Sequence, residues 1–290
     1  MEPESFLYRE GLRYIPDTFA YDNLPSPVRT GIFSEIILAL QNRQIGGVTE
    51  AAKLLHIVTC RRLRQQYNTE VEQVSSLFVL EHITFDLLRK ANWGDFLDIL
   101  EVWLASVLDL TPHRPPYSPP PLVSLINNQL VPNLSKLFLE EGIGWQIDGT
   151  KITRRQAPVL ESRIRETTLL LSDPKLGASE QAWKKAVDAL NRRPEPDIEN
   201  CIKDAVVAVE AIANIVVGVT GQELDKVVDT LANNNRVPKP LHLTLKHPFH
   251  YRDNQANVAH GTGEISKARI EDAEYVLNWA AASVIYLSKV

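Results

Sequence analysis

Tyr251-Arg252-Asp253-Asn254-Gln255-Ala256-Asn257-Val258-Ala259-His260-Gly261 is a short polar run that carries an arginine and a histidine, and an apolar-striped helix follows it at once. The stripe is Ile270, Ala273, Leu277, Ala280, Val284 and Leu287, whose helical spacing predicts a last helix over 266–287. The run itself reads as a loop, entered from a proline- and histidine-bearing segment at 237–250. Further upstream, Asp197 is placed to cap a long helix over 198–217. Its apolar tract is interrupted by Glu210 and Asn214 and stops at Gly218. A shorter helix is expected over 221–233, and two more over 156–171 and 178–191. Breaks at Ser172-Asp173-Pro174-Lys175-Leu176-Gly177 and Arg192-Arg193-Pro194-Glu195-Pro196 bound the latter. The C-terminal half is therefore a set of four or five helices with one chemically distinctive loop.

The N-terminal half also reads as helical, over 29–41, 49–55, 74–88, 93–108 and 122–141. His113-Arg114-Pro115-Pro116-Tyr117-Ser118-Pro119-Pro120-Pro121 excludes helix and favours an extended connector. Around Asp148-Gly149, apolar and polar residues alternate on both sides, which predicts a β-hairpin. Helices beside such a hairpin suggest a winged-helix-like unit. The expected fold is mainly α: a mostly helical N-terminal domain over 1–165 and a helical bundle over 166–290.

A chain of 290 residues has room for two domains of ordinary size, and 44% hydrophobic with 23% charged residues suits a soluble protein. A net charge of -5 supplies no global basic field, so any contact with nucleic acid falls to a local patch. Cys60 and Cys201 lie far apart and outside any CxxC pattern, against a disulfide framework or a zinc knuckle. The acidic start Met1-Glu2-Pro3-Glu4-Ser5 lacks the regions of a signal peptide, and no apolar run is long enough to span a bilayer. A cytoplasmic protein with no membrane contact is expected. The chain has no glycine-rich phosphate loop after a strand, no GxSxG and no HExxH.

RNA can be cut without a metal when its own 2′-hydroxyl attacks the adjacent phosphate. The protein must then move protons and stabilise negative charge. A histidine suits the first task and an arginine the second, because guanidinium is always charged and matches two phosphate oxygens. Arg252 and His260 are the candidate catalytic pair, with Asp253 or Asn257 to orient them. No cofactor is needed.

The Arg252-Asp253 pair, the Ala259-His260-Gly261 end and the helix that follows resemble HEPN domains. These are small helical bundles that usually dimerise, and many are metal-independent ribonucleases. Phe6-Leu7-Tyr8-Arg9-Glu10-Gly11-Leu12, Arg29 and its helix, the hairpin, and Arg193-Pro194-Glu195-Pro196-Asp197 with the helix after it extend the likeness. Together they resemble AbiJ-type abortive-infection proteins, in patches over nearly the full chain. The resemblance implies RNA as substrate, a homodimer through the C-terminal domain, and a regulatory protein or antitoxin as partner. Two departures stand out: seven residues separate Arg252 from His260, one more than the family's usual range, and Ala259 stands where relatives often carry arginine. They keep open a second reading, a catalytically inactive HEPN-like binding or scaffold module.

Other candidates are weaker. Glu210 lies mid-helix in an apolar run, where a carboxylate is costly to bury without a partner. It either orients Arg252 or His260 or is an ordinary interface acid. Lys203 and Asn200 are on the same helix and could face phosphate. Arg61-Arg62-Leu63-Arg64 is the densest basic run and, with Arg154-Arg155 beside the hairpin, the first place to look for nucleic-acid contact. His242, His247 and His250 precede the loop without an assured metal-ligand spacing.

Overall fold

The computed structural model describes residues 19–40, 48–65, 80–109, 122–254 and 268–290. They are mainly helical, with one two-stranded antiparallel sheet, and the chain divides into two compact units, Met1–Arg155 and Gln156–Val290. The proline run at 113–121, the first residues of the 74–88 helix, Asn257 and His260 lie outside the described residues.

The first unit contains α1 (Ser26–Leu40), α2 (Val48–Arg62), a π-helical turn (Leu80–Thr84) running into α3 (Phe85–Lys90), and α4 (Trp93–Asp109). The expected buried helix is α4: Leu97, Trp103 and Leu104 are fully buried against Ile32 and Ile36 of α1 and Leu55 of α2. The indole N–H of Trp103 donates to Ala51 O at 2.9 Å, so its burial leaves no orphan donor. α2 is longer than the 49–55 read from sequence, because Ala51, Leu55, Val58 and Cys60 continue its buried face. It ends where Arg64 turns left-handed (φ 52) and Gln65 N–H closes back on Cys60 O at 2.9 Å. Arg29 fixes the end of α3: its guanidinium donates to the carbonyls of Leu88, Arg89 and Ala91.

The expected 122–141 helix is present but uneven: α5 (Leu122–Leu125), a π-helical turn (Ile126–Leu130) and α6 (Val131–Glu140). Pro132 explains the turn. It has no N–H to offer Asn128 and its ring crowds that carbonyl, so Val131 N–H reaches back to Ile126 O instead. The hairpin is β1 (Trp145–Asp148) and β2 (Lys151–Arg154), with Asp148 opposite Lys151. The turn residues are Gly149 and Thr150, one position later than read, with Gly149 at φ +61.

The second unit holds α7 (Pro158–Leu171), α8 (Gly177–Leu190), α9 (Ile198–Val217), α10 (Leu224–Asn233), α11 (Lys239–Asn254) and α12 (Ile270–Leu287). The unit boundary falls after Arg155, not at 165/166, because α7 packs with α8 and α12: Leu171 is fully buried there, and Trp183 of α8 donates to Thr168 at 2.9 Å. α9 has the expected limits, with the Asp197 side chain accepting Asn200 N–H and Gly218 left-handed at φ 80. In α12, Ala273, Leu277, Ala280, Val284 and Leu287 of the expected stripe are fully buried and Ile270 is half-buried. Among the described residues no helix is long and apolar enough to cross a membrane.

The largest departure is α11. The proline- and histidine-bearing segment that leads into the loop is helical from Lys239, and the helix runs on through Asn254, so Arg252 sits in a last helical turn and not in a loop. Pro240 falls in the first turn, where proline is tolerated. Pro248 lies inside the helix and cannot donate to Thr244 O. That carbonyl instead accepts the Trp279 indole N–H from α12 at 3.0 Å. Trp279→Phe should therefore destabilise the second unit by about 1 kcal/mol. Adding Pro248→Ala should recover most of the loss, because the new N–H can bond Thr244 within the helix. Urea unfolding of the two variants and the wild type checks this.

Candidate functional site

Three faces of α11 have three different partners. Leu245 and Phe249 are buried in the core of the second unit. His242, Lys246 and His250, one turn apart, face Asp225 and Asp229 of α10. The Lys246 ammonium lies 3.0 Å from Asp225 and 2.6 Å from Asp229. His242 Nε2 is 3.8 Å from Asp229, and His250 Nε2 is 3.6 Å from Asp225. Burial alone pulls the Lys246 pKa down, but the bonds and charges of Asp229 and Asp225 outweigh it and leave it raised. With Lys246 at its centre, this cluster is an ion-pair ladder. Among the described residues, no group of three or more His, Cys, Asp or Glu is arranged to hold a metal ion.

The third face meets α12. His247, Pro248 and Tyr251 line one wall of a cleft of about 290 Å³, and Asp272, Tyr275 and Val276 line the other. Tyr251 hydrogen-bonds Asp272, which ties the last turn of α11 to the first turn of α12. Asp272 also accepts Arg269 N–H at 2.8 Å, and its other oxygen lies 3.6 Å from the Arg269 guanidinium. That backbone bond holds the Asp272 carboxyl below its usual range. Burial works the other way, and the Arg269 guanidinium and Tyr251 hydroxyl add to the lowering. Burial, then the Asp272 charge, push the Tyr251 phenol up.

Arg252 follows Tyr251 directly. Its guanidinium carbon stands 4.5 Å from the centre of the Phe249 ring, a cation–π contact that holds the charge at the C-terminal end of α11, where a helix favours a cation. Asp253 occupies the next position of the same turn. The chain from 255 to 267, with Asn257 and His260, joins two helix ends that the Tyr251–Asp272 bond already holds together.

Glu210 has a structural task on α9, at the start of α10. Its carboxylate accepts Leu224 N–H at 3.1 Å at the first turn of α10, favourable for both the orphan donor and the helix dipole. Asn214 adds bonds to Gln222 N–H (3.1 Å) and Gln222 O (2.8 Å). Lys203 is exposed on α9, and Asn200 is engaged with the Asp197 cap at 2.8 Å. In the first unit, Arg61 and Arg64 are exposed, whereas Arg62 pairs with Asp95 at 2.7 Å and Asp98 at 2.5 Å. Those acids remove much of the local positive field. Arg154 and Arg155 lie over the rings of Tyr21 (3.6 Å) and Phe19 (5.2 Å) and so serve packing within the unit. Neither cysteine is a poised nucleophile: both are buried, and burial, then the charges of Asp204, Asp197 and Glu274, push the Cys201 thiol up to about 12.

No family model, curated protein or solved structure matches this chain. The site therefore stands on its own geometry. Sequence reasoning missed Tyr251, Asp272 and Tyr275. The available signal was Tyr275, a large aromatic residue that falls off the buried stripe of α12.

The Tyr251–Asp272 bond has a defined pH window. Asp272, with its lowered pKa, contributes stability that is present above its unfolded value of 3.8 and lost as pH falls through the folded one. Tyr251, with its raised pKa, contributes stability that is present below 10.0 and lost as pH rises through its folded value. Tyr251→Phe should cost about 1 kcal/mol, nearly constant between roughly pH 5 and 9. Urea unfolding across that range measures it.

Proposed function

We propose that the protein is a metal-independent endoribonuclease of the HEPN type, acting in antiviral defence by abortive infection. The observation that carries the reading is Arg252, held on Phe249 in the last turn of α11, one residue after the cleft-lining Tyr251 and ahead of the segment bearing Asn257 and His260. Arg252 neutralises the scissile phosphate of RNA. The 2′-oxygen attacks phosphorus as its proton passes to His260, the bond to the 5′-oxygen breaks, and His260 delivers a proton to that leaving oxygen. The products are a 2′,3′-cyclic phosphate and a 5′-hydroxyl, with no cofactor. Asp253 and Asn257 are the candidates to orient the pair. Glu210 supports the site by fixing the start of α10, whose Asp225 faces His250 of α11.

The proposed active form is a cytoplasmic homodimer through the helical C-terminal unit, which brings two such loops into one cleft. The N-terminal unit, read as winged-helix-like, then senses a trigger or binds a regulatory protein or antitoxin. Arg61 and Arg64 in that unit, and Lys203 on α9 of the C-terminal unit, are the candidate nucleic-acid contacts. Ala259 and the seven-residue spacing favour the second reading, a binding or scaffold module that does not cut.

Purified wild type, Arg252→Ala and His260→Ala incubated with total RNA in EDTA separate the two. Cleavage by the wild type, lowered at least about 100-fold in both variants, is expected. Cleavage that persists in either variant refutes the assignment. RNA bound but left intact by the wild type favours the scaffold.

A further inference from the structure

The cleft lined by Tyr251, the residue before Arg252, has the wrong walls for a phosphate and suitable ones for a base. Its volume of about 290 Å³ is at the small end of ligand sites and suits one flat, fragment-sized group. Tyr275 stands at its edge with 68% of its surface exposed, although every other large apolar residue of its helix is buried or partly buried. Tyr251, Pro248 and His247 supply further flat surface. The cleft's single carboxylate, Asp272, repels phosphate and accepts hydrogen bonds from N–H donors. Phosphate can instead be met by Arg252, the residue next to Tyr251. An exposed aromatic ring, a partly exposed carboxylate acceptor and a cation one residue further along α11 are what one nucleotide of single-stranded RNA requires.

We infer that this cleft binds the base of an unpaired nucleotide flanking the phosphate held by Arg252. The base stacks on Tyr275 and donates an N–H to Asp272, and the larger stacking face of a purine favours it over uracil. The inference rests on the nuclease reading for the identity of the phosphate, and it makes the substrate single-stranded, because a paired base cannot offer its face to Tyr275.

Fluorescently labelled, uncleavable 2′-O-methyl tetranucleotides test it, one set purine-containing and one all-uridine, with the full-length wild type, Tyr275→Ala and Tyr275→Trp. Because Tyr275 is exposed, its replacement leaves the core intact. Tyr275→Ala should weaken purine binding roughly five- to 100-fold and Tyr275→Trp should retain it, while uridine binds the wild type more weakly. Equal affinity of wild type and Tyr275→Ala, or uridine bound as tightly as purine, overturns the inference. The same samples assayed for RNA cleavage in EDTA keep the two proposals apart. Tyr275-dependent binding without cleavage supports the cleft and removes the nuclease. Cleavage with an unchanged KM in Tyr275→Ala supports the nuclease and removes the cleft.

Discussion

The second unit depends on the burial of α9. Cys201, Ile202, Ala205, Val206, Ala208, Val209, Ile212 and Ala213 are all fully buried, so neighbouring helices must cover the helix on more than one side. The small side chains among them let α8 and α12 approach closely, and buried Ser179 bonds Ala208 O at 2.8 Å. From there, polar contacts form a closed circuit. Glu210 of α9 holds the first turn of α10, and Asp225 and Asp229 of α10 hold Lys246 of α11. Thr244 and Tyr251 of α11 hold Trp279 and Asp272 of α12, and α12 packs back on α9. Arg252 inherits its position from that circuit.

Helices with a regular apolar stripe were legible in the sequence, and so was the hairpin. Residues 198–217 carry an N-cap, a continuous stripe and a terminal glycine, and each signal is local. α11 was not legible. Its prolines and histidines argue against helix, and what overrides them is supplied by distant residues: Trp279 meets the carbonyl that Pro248 abandons, and two aspartates on α10 pair with Lys246. The same limit applies to the arginines. Arg62 meets Asp95 and Asp98, and Arg154 and Arg155 meet Tyr21 and Phe19, all through partners far away in sequence. A basic run read along the chain does not reveal whether its charge is already spent.

The candidate site was legible in part. Arg252 and His260 stood out by residue type and spacing, and the structure adds the helix end, the aromatic support of the guanidinium and the cleft beside it. A net charge of -5 makes the local nature of this arrangement important. In the proposed function, one cation on a ring and a nearby aromatic surface recognise a nucleotide through position and stacking, without relying on a broad electrostatic field.

The salt dependence of RNA binding tests the central claim most directly, that Arg252 at the α11–α12 junction holds a phosphate. Affinity for an uncleavable 2′-O-methyl RNA is measured over a range of salt concentrations for the wild type and Arg252→Ala. The account predicts weaker binding by the variant and a log–log slope shallower by about 0.7, the counterion release of one single-strand phosphate contact. Identical affinity and identical slope would contradict it.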